Sequence, residues 1–230
     1  MSIYATADLH LSGEPPAKPM EIFGEHWRGH KAKIKADWLS RVAPQDTVII
    51  CGDISWAQNL DAAFPDLAWL AELPGSKILL RGNHDYWWSS LAKMRKRFGD
   101  GFEFLQNNCL LTEGIAICGS RGWLLPTAEG FTPEDEKILK REAIRLELSL
   151  EAAKKACAKS IIVCLHYPPL FKEDERNLLT ELLEKYAVTS CVFGHIHGEL
   201  SASIFEGIRR GISYKLVSCD TQDFRLYKLK

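Results

Sequence analysis

The sequence predicts an α/β fold. Short β-branched or apolar runs alternate with amphipathic helical patterns along the chain, and several of those runs read as buried strands. A cluster of Gly, Asp, Asn and His follows one strand after another. Alternating units of this kind imply a largely parallel sheet, and ligands of such sheets bind beyond the carboxyl ends of the strands.

The elements follow in order. "SIYATA" (2–7) is a first strand, and the Pro- and Gly-rich stretch 15–27 is an irregular excursion. A helix is expected over 31–42, with Ile34, Trp38 and Val42 on one face. "DTVIIC" (46–51) is a buried strand, and 60–73 is mostly helical, with Pro65 marking a break or a second start. The strand "KILLR" (77–81) leads into "YWWSSLAKMRKRF" (86–98), expected as a helix opened by Trp87 and Trp88. Residues 108–123 suit a β-hairpin turning at Glu113-Gly114. The clearest helix spans 132–159. Thr132 is a natural N-cap, Pro133 fits the first helical position, and Glu134 to Glu136 suit the positive end of the dipole. Leu139, Ala143, Leu146, Leu150, Ala153 and Cys157 form one apolar stripe on it. A strand (160–165), a helix (176–186), a strand (190–193) and further sheet over 212–220 and 224–230 complete the chain. With no repeat, low-complexity segment or linker, residues 1–230 read as a single domain.

The bulk numbers bound the function. A chain of 230 residues, 46% apolar and 26% charged, suits one large globular domain. Its formal net charge of −1 gives no reason to expect a polyanionic partner. Of seven cysteines, Cys51, Cys118, Cys164 and Cys191 sit in apolar runs, and no pair has CxxC spacing, which argues against thiolate zinc. The start "MSIYATADLH" lacks a basic, apolar leader, and no apolar stretch reaches about 18 residues. A reducing cytoplasm is the expected home.

Chemistry is concentrated at the strand ends. Asp8 and His10 follow the first strand, Gly52-Asp53 the second and Gly82-Asn83-His84-Asp85 the third. His166 follows "IIVCL", and His195 and His197 follow "CVF". Five of the seven histidines lie at these five points. Asp8 and His10, two positions apart, would point the same way from an extended segment, as would His195 and His197. Gly52, Gly82 and Gly194 let the backbone approach a ligand closely. Taken singly the blocks are weak: Gly52-Asp53 is an ordinary turn, and "GNHD" can be a turn whose Asn and Asp bond their own backbone. Together they offer two carboxylates, four imidazoles and one amide as ligands, more than the three typical of one open site. Two metals sharing a carboxylate fit better, and this donor set suits manganese, iron or zinc more than calcium.

The ordered series D-x-H, G-D, G-N-H-D, H and G-H-x-H, from residue 8 to residue 197, resembles the calcineurin-like metallophosphoesterase family. "PMEIFGEHWRGHKAKI" (19–34) and "GSRGW" (119–123) resemble a bacterial branch of predicted phosphohydrolases within it. The resemblance implies a four-layer α/β/β/α sandwich with mixed sheets around a two-metal centre. Asp8, His10 and His197 would hold one ion, Asn83, His166 and His195 the other, and Asp53 would bridge them. Two ions about 3.5–4 Å apart would clamp a phosphate monoester or diester, and a shared hydroxide would attack phosphorus in line. His84 would protonate the leaving alkoxide, with Asp85 orienting or polarising its imidazole.

Other readings remain at this point. His26 and His30 are spaced to bind a metal or to line the cleft mouth. Trp87 and Trp88 can stack a base or pack in the core, and Arg81 and Arg121 can meet a substrate phosphate or a structural carboxylate. No arginine follows closely in "GDISWAQN", which argues against a protein Ser/Thr phosphatase. No long basic or aromatic segment supports a nuclease, so the expected partner is a small phosphate ester and not nucleic acid. The competing hypothesis is a catalytically silent interaction module on the same fold.

Overall fold

The computed structural model describes all 230 residues, Met1–Lys230. Numbered along the chain, the strands are β1 (Ile3–Thr6), β2 (Thr47–Cys51), β3 (Ser76–Leu80), β4 (Glu103–Leu105), β5 (Cys109–Thr112), β6 (Ile115–Ser120), β7 (Ser160–Leu165), β8 (Ser190–Phe193), β9 (Gly207–Arg209), β10 (Ile212–Leu216) and β11 (Tyr227–Lys228). The helices are α1 (His30–Arg41), α2 (Phe64–Ala71), α3 (Leu91–Phe98), α4 (Pro133–Lys155) and α5 (Leu178–Lys185). The chain forms two compact units, one of residues 1–104 with 217–230 and the other of residues 105–216.

The first unit holds a sheet in the order β11-β1-β2-β3-β4. β1, β2 and β3 run parallel, with Ala5 opposite Ile49 and Ile49 opposite Ile78, so their carboxyl ends share one edge. Every residue of β1 and β2 is buried, as expected for strands covered on both faces. α1 presents Ile34 and Trp38, one turn apart, to a core that includes Ile50, Leu67, Leu70 and Trp87. The Trp38 indole N–H is satisfied by the Pro74 carbonyl at 2.8 Å. Pro65 opens α2 instead of breaking a longer helix, so residues 60–63 stay outside it.

The second unit holds the sheet β5-β6-β7-β8-β10-β9. β6, β7, β8 and β10 run parallel, and the edges β5 and β9 pair antiparallel. The β5–β6 hairpin turns at Glu113 (φ 49°) and Gly114 (φ 80°), the left-handed pair that matches strand twist. α4 begins with a capping box in which Thr132 and Asp135 exchange bonds with each other's backbone N–H. Its stripe of Leu139, Ala143, Leu146, Leu150 and Ala153 is buried with Val163, Leu165 and Phe193.

The sheets are mixed, as the resemblance implies, with parallel central strands and short antiparallel strands at three edges. Other sequence expectations shift. The helix expected from residue 86 starts at Leu91, where the Ser90 side chain caps the Lys93 N–H. Trp87 and Trp88 lie in the preceding loop and are core residues, 1% and 9% exposed. Cys157 lies past the end of α4 and is exposed. Cys51, Cys118, Cys164 and Cys191 are buried, and all seven cysteines are reduced thiols. No helix is long and apolar enough to cross a membrane.

Candidate functional site

In the first unit the expected residues gather at the carboxyl edge of β1, β2 and β3. Asp8, His10 and Asp53 are 0%, 3% and 1% exposed. His10 Nε2 lies 3.9 Å from Asp53 Oδ2, and Asp53 Oδ1 accepts the His84 backbone N–H at 2.8 Å. The segment after β1 is not extended, which corrects the sequence expectation. Asp8 (φ 60°), His10 (φ 46°) and Asp53 (φ 51°) all adopt left-handed backbone. Asp8 N–H donates to the Gly52 carbonyl at 2.9 Å and His10 N–H to the Asp53 carbonyl at 3.0 Å, so pairing between the two loops holds this conformation. Left-handed residues other than glycine cost about 1–3 kcal/mol each and concentrate where function fixes a side chain.

Asp85 takes a different position from the one expected. Its carboxylate accepts N–H groups from Ile54 (2.9 Å), Ser55 (3.2 Å), Gly82 (2.8 Å) and the Trp87 indole (2.9 Å). It therefore ties the loops after β2 and β3 together and does not orient the His84 imidazole. Complete burial, and then the charge of Asp53, push its carboxyl above the usual carboxylate range, against those N–H donors. Gly82 permits the loop crossing, because a Cβ there would lie 2.1 Å from Asp53 Oδ1.

Sequence reasoning missed the wall of this rim. The His10 ring stacks on Trp56 at 4.7 Å with an interplanar angle of 17°, and His84 lies 4.3 Å from the same indole. The Lys18 ammonium sits 3.2 Å from the centroid of Trp56. Cys219 supports the rim from the far end of the chain, its thiol donating to the Asp8 carbonyl at 3.0 Å. Burial holds that thiol well above its ordinary pKa, so it stays a neutral donor. Only the nearness of Trp56 to Asp53 in the sequence offered a signal.

In the second unit His166 follows β7 and is fully buried, while His195 and His197 follow β8 and are half-buried. The His166 and His195 rings are 5.1 Å apart at 71°, and Tyr167 lies 4.0 Å from His195. His195 is left-handed (φ 74°), so its side chain and that of His197 are not related as in an extended strand. The Gly194 N–H donates to the His166 carbonyl at 3.0 Å, locking the two strand ends together. Arg121 lies 4.3 Å from the Trp123 ring, a structural contact within this unit. His26 is exposed and His30 half-buried; burial lowers the His30 pKa.

The donor chemistry fits a divalent cation. Asp8 and Asp53 are buried carboxylates on one rim beside an imidazole, and burying such anions is costly without compensating charge. Carboxylate, amide and imidazole without thiolate suit borderline metals.

An α/β chain with two mixed sheets flanked by helices, its parallel strands ending in carboxylates and imidazoles, has the fold of the calcineurin-like phosphoesterases. The chain belongs to that family, whose model, "Calcineurin-like phosphoesterase", matches residues 1–199. Solved structures with the fold include the protein of unknown function AQ665 from Aquifex aeolicus (TM-score 0.54, 17% identity, 99% of this chain and 95% of that one). Others are the calcineurin-like phosphoesterase YfkN from Bacillus subtilis (0.52, 15%, 96% and 82%) and TT1561 of Thermus thermophilus (0.56, 15%, 98% and 96%). The gene 66 protein of Mycobacterium phage D29 is 34% identical over 84 residues, covering 36% of this chain and 40% of that protein. The gene 66 protein of Mycobacterium phage L5 is 35% identical over 80 residues, covering 35% and 38%. The chain thus matches about two fifths of the length of these curated relatives. Family membership supports hydrolase activity in general and implies divalent metal ions.

Proposed function

We propose that residues 1–230 act as one phosphoesterase domain, a cytoplasmic phosphohydrolase that cleaves a small phosphomonoester or phosphodiester by in-line displacement at phosphorus. The observation that carries this reading is the buried rim of Asp8, His10 and Asp53, held in left-handed backbone inside a chain of this family. Two divalent ions, manganese, iron or zinc, would supply charge neutralisation at the phosphate and an activated water when bound. Asp8, His10 and His197 are assigned to one ion, Asn83, His166 and His195 to the other, and Asp53 to both. His84 delivers the proton that the leaving oxygen requires, with Trp56 fixing the plane of its ring and that of His10. Asp85 acts as a positioning residue that holds the loops carrying Asp53 and Asn83.

Elemental analysis, followed by hydrolysis of bis-nitrophenyl phosphate with and without manganese, tests the proposal. Two metal equivalents and metal-dependent turnover are expected. A chain that binds no metal and turns over no ester would instead be a silent interaction module.

A further inference from the structure

The solvent face of α4 carries apolar residues that the fold does not use. Ile144 and Leu148, one turn apart, are 59% and 52% exposed. Beside them on α5, Leu178 is 43% exposed. A groove of about 430 Å³ runs between the two helices, lined by Ala143, Ile144, Leu178 and Leu182 with Lys140 and Glu147 among its polar walls. Isolated exposed leucines are ordinary, but Ile144 with Leu148 one turn along α4, and Leu178 in the groove that Ile144 lines, form a patch.

The charge pattern along the outward stripe says what covers it. Arg141, Ile144, Leu148 and Glu151 are spaced 3, 4 and 3 residues, so they share one face. The stripe is complementary to its own reverse. Laid antiparallel on a copy of itself about Leu146, α4 sets Ile144 opposite Leu148 and Arg141 opposite Glu151. Each of these contacts occurs twice, as a two-fold interface requires. The acidic member is already ordered, since Glu151 accepts the Tyr186 hydroxyl. It therefore loses little side-chain freedom on association. The same register opposes Lys137 to Lys155 at the stripe ends. There the usual crossing angle of about 20° spreads the helices, and Lys137 already pairs with Glu134 at 3.2 Å.

We propose that this face is the interface of a symmetric dimer of the chain, with Leu148 of each copy seated against Ile144 in the α4–α5 groove of the other. The inference is independent of the phosphoesterase chemistry. Sedimentation velocity of the full chain over a concentration series tests it, with circular dichroism confirming the fold of each variant. The wild type should show a dimer in exchange with monomer. Ile144→Glu, and separately Leu148→Lys, should raise the dissociation constant at least ~100-fold. Arg141→Glu should weaken the dimer ~10-fold, and Arg141→Glu combined with Glu151→Arg should restore it to within ~3-fold. A wild type that stays monomeric up to about 100 µM overturns the proposal. So does a dimer indifferent to Ile144→Glu and Leu148→Lys, and failure of the charge swap to rescue Arg141→Glu overturns the antiparallel register.

Discussion

At Gly82 the chain passes so close to Asp53 that an added Cβ would lie 2.2 Å from the Asp53 nitrogen as well as against its carboxylate. Gly82→Ala must therefore displace Asp53, the residue assigned to both ions. Displacing a catalytic group by about 1 Å costs on the order of 100-fold. A loss of that size in kcat/KM on bis-nitrophenyl phosphate, with reduced metal content, is expected. His84 carries a separate prediction. His84→Ala should slow hydrolysis of alkyl esters by about 100-fold or more while slowing nitrophenyl esters much less, since nitrophenolate leaves without a proton. Equal slowing of both ester types would refute the acid role. The need for a glycine in "RGNHD" was legible in the sequence. The left-handed backbones of Asp8, His10 and Asp53 were not, because they arise from pairing between loops about 45 residues apart.

At the scale of elements, α4 is the most self-specified piece of the fold. Thr132→Ala removes the side chain that caps it and should cost about 1 kcal/mol, measured by urea unfolding. The same box gives a pH dependence. The Thr132 hydroxyl first, and the Trp123 indole next, hold the Asp135 carboxyl below its ordinary range by hydrogen bonding to the charged form. A carboxylate whose folded pKa is depressed adds stability that is present above its unfolded pKa and lost as pH falls through its folded one. Repeating the unfolding between about pH 6 and pH 2 should show a shallower acid decline in Thr132→Ala than in the wild type. Elements of this kind, with local caps, turns and a full apolar stripe, could be read from the sequence: α4, the β5–β6 hairpin, and the strands β7 and β8. The three-residue strands β4 and β9 could not, since three residues carry no periodicity. The start of α3 was misplaced because two tryptophans resembled a helix face when Asp85 and the core claim them.

For the whole molecule, metal binding and stability are linked. Ions that bind only the folded chain stabilise it by about 2.7 kcal/mol at a hundredfold excess over Kd, or about 5–10 °C for a chain of this size. Dialysis against a chelator should lower Tm by roughly that amount in differential scanning fluorimetry, and manganese should restore it. An unchanged Tm would mean that the buried carboxylates are compensated without ions. The first unit is discontinuous, and this bears on biogenesis. Its strand β1 is flanked by β11, and Ile3 exchanges backbone bonds with Leu229 and Lys230. A ribosome releases residues 105–216 as one uninterrupted stretch, able to collapse as soon as they emerge. Residues 1–104 must wait, one strand edge bare, until residues 217–230 have been translated. That interval is when a nascent chain of this design would be most exposed to aggregation and most in need of a holdase chaperone.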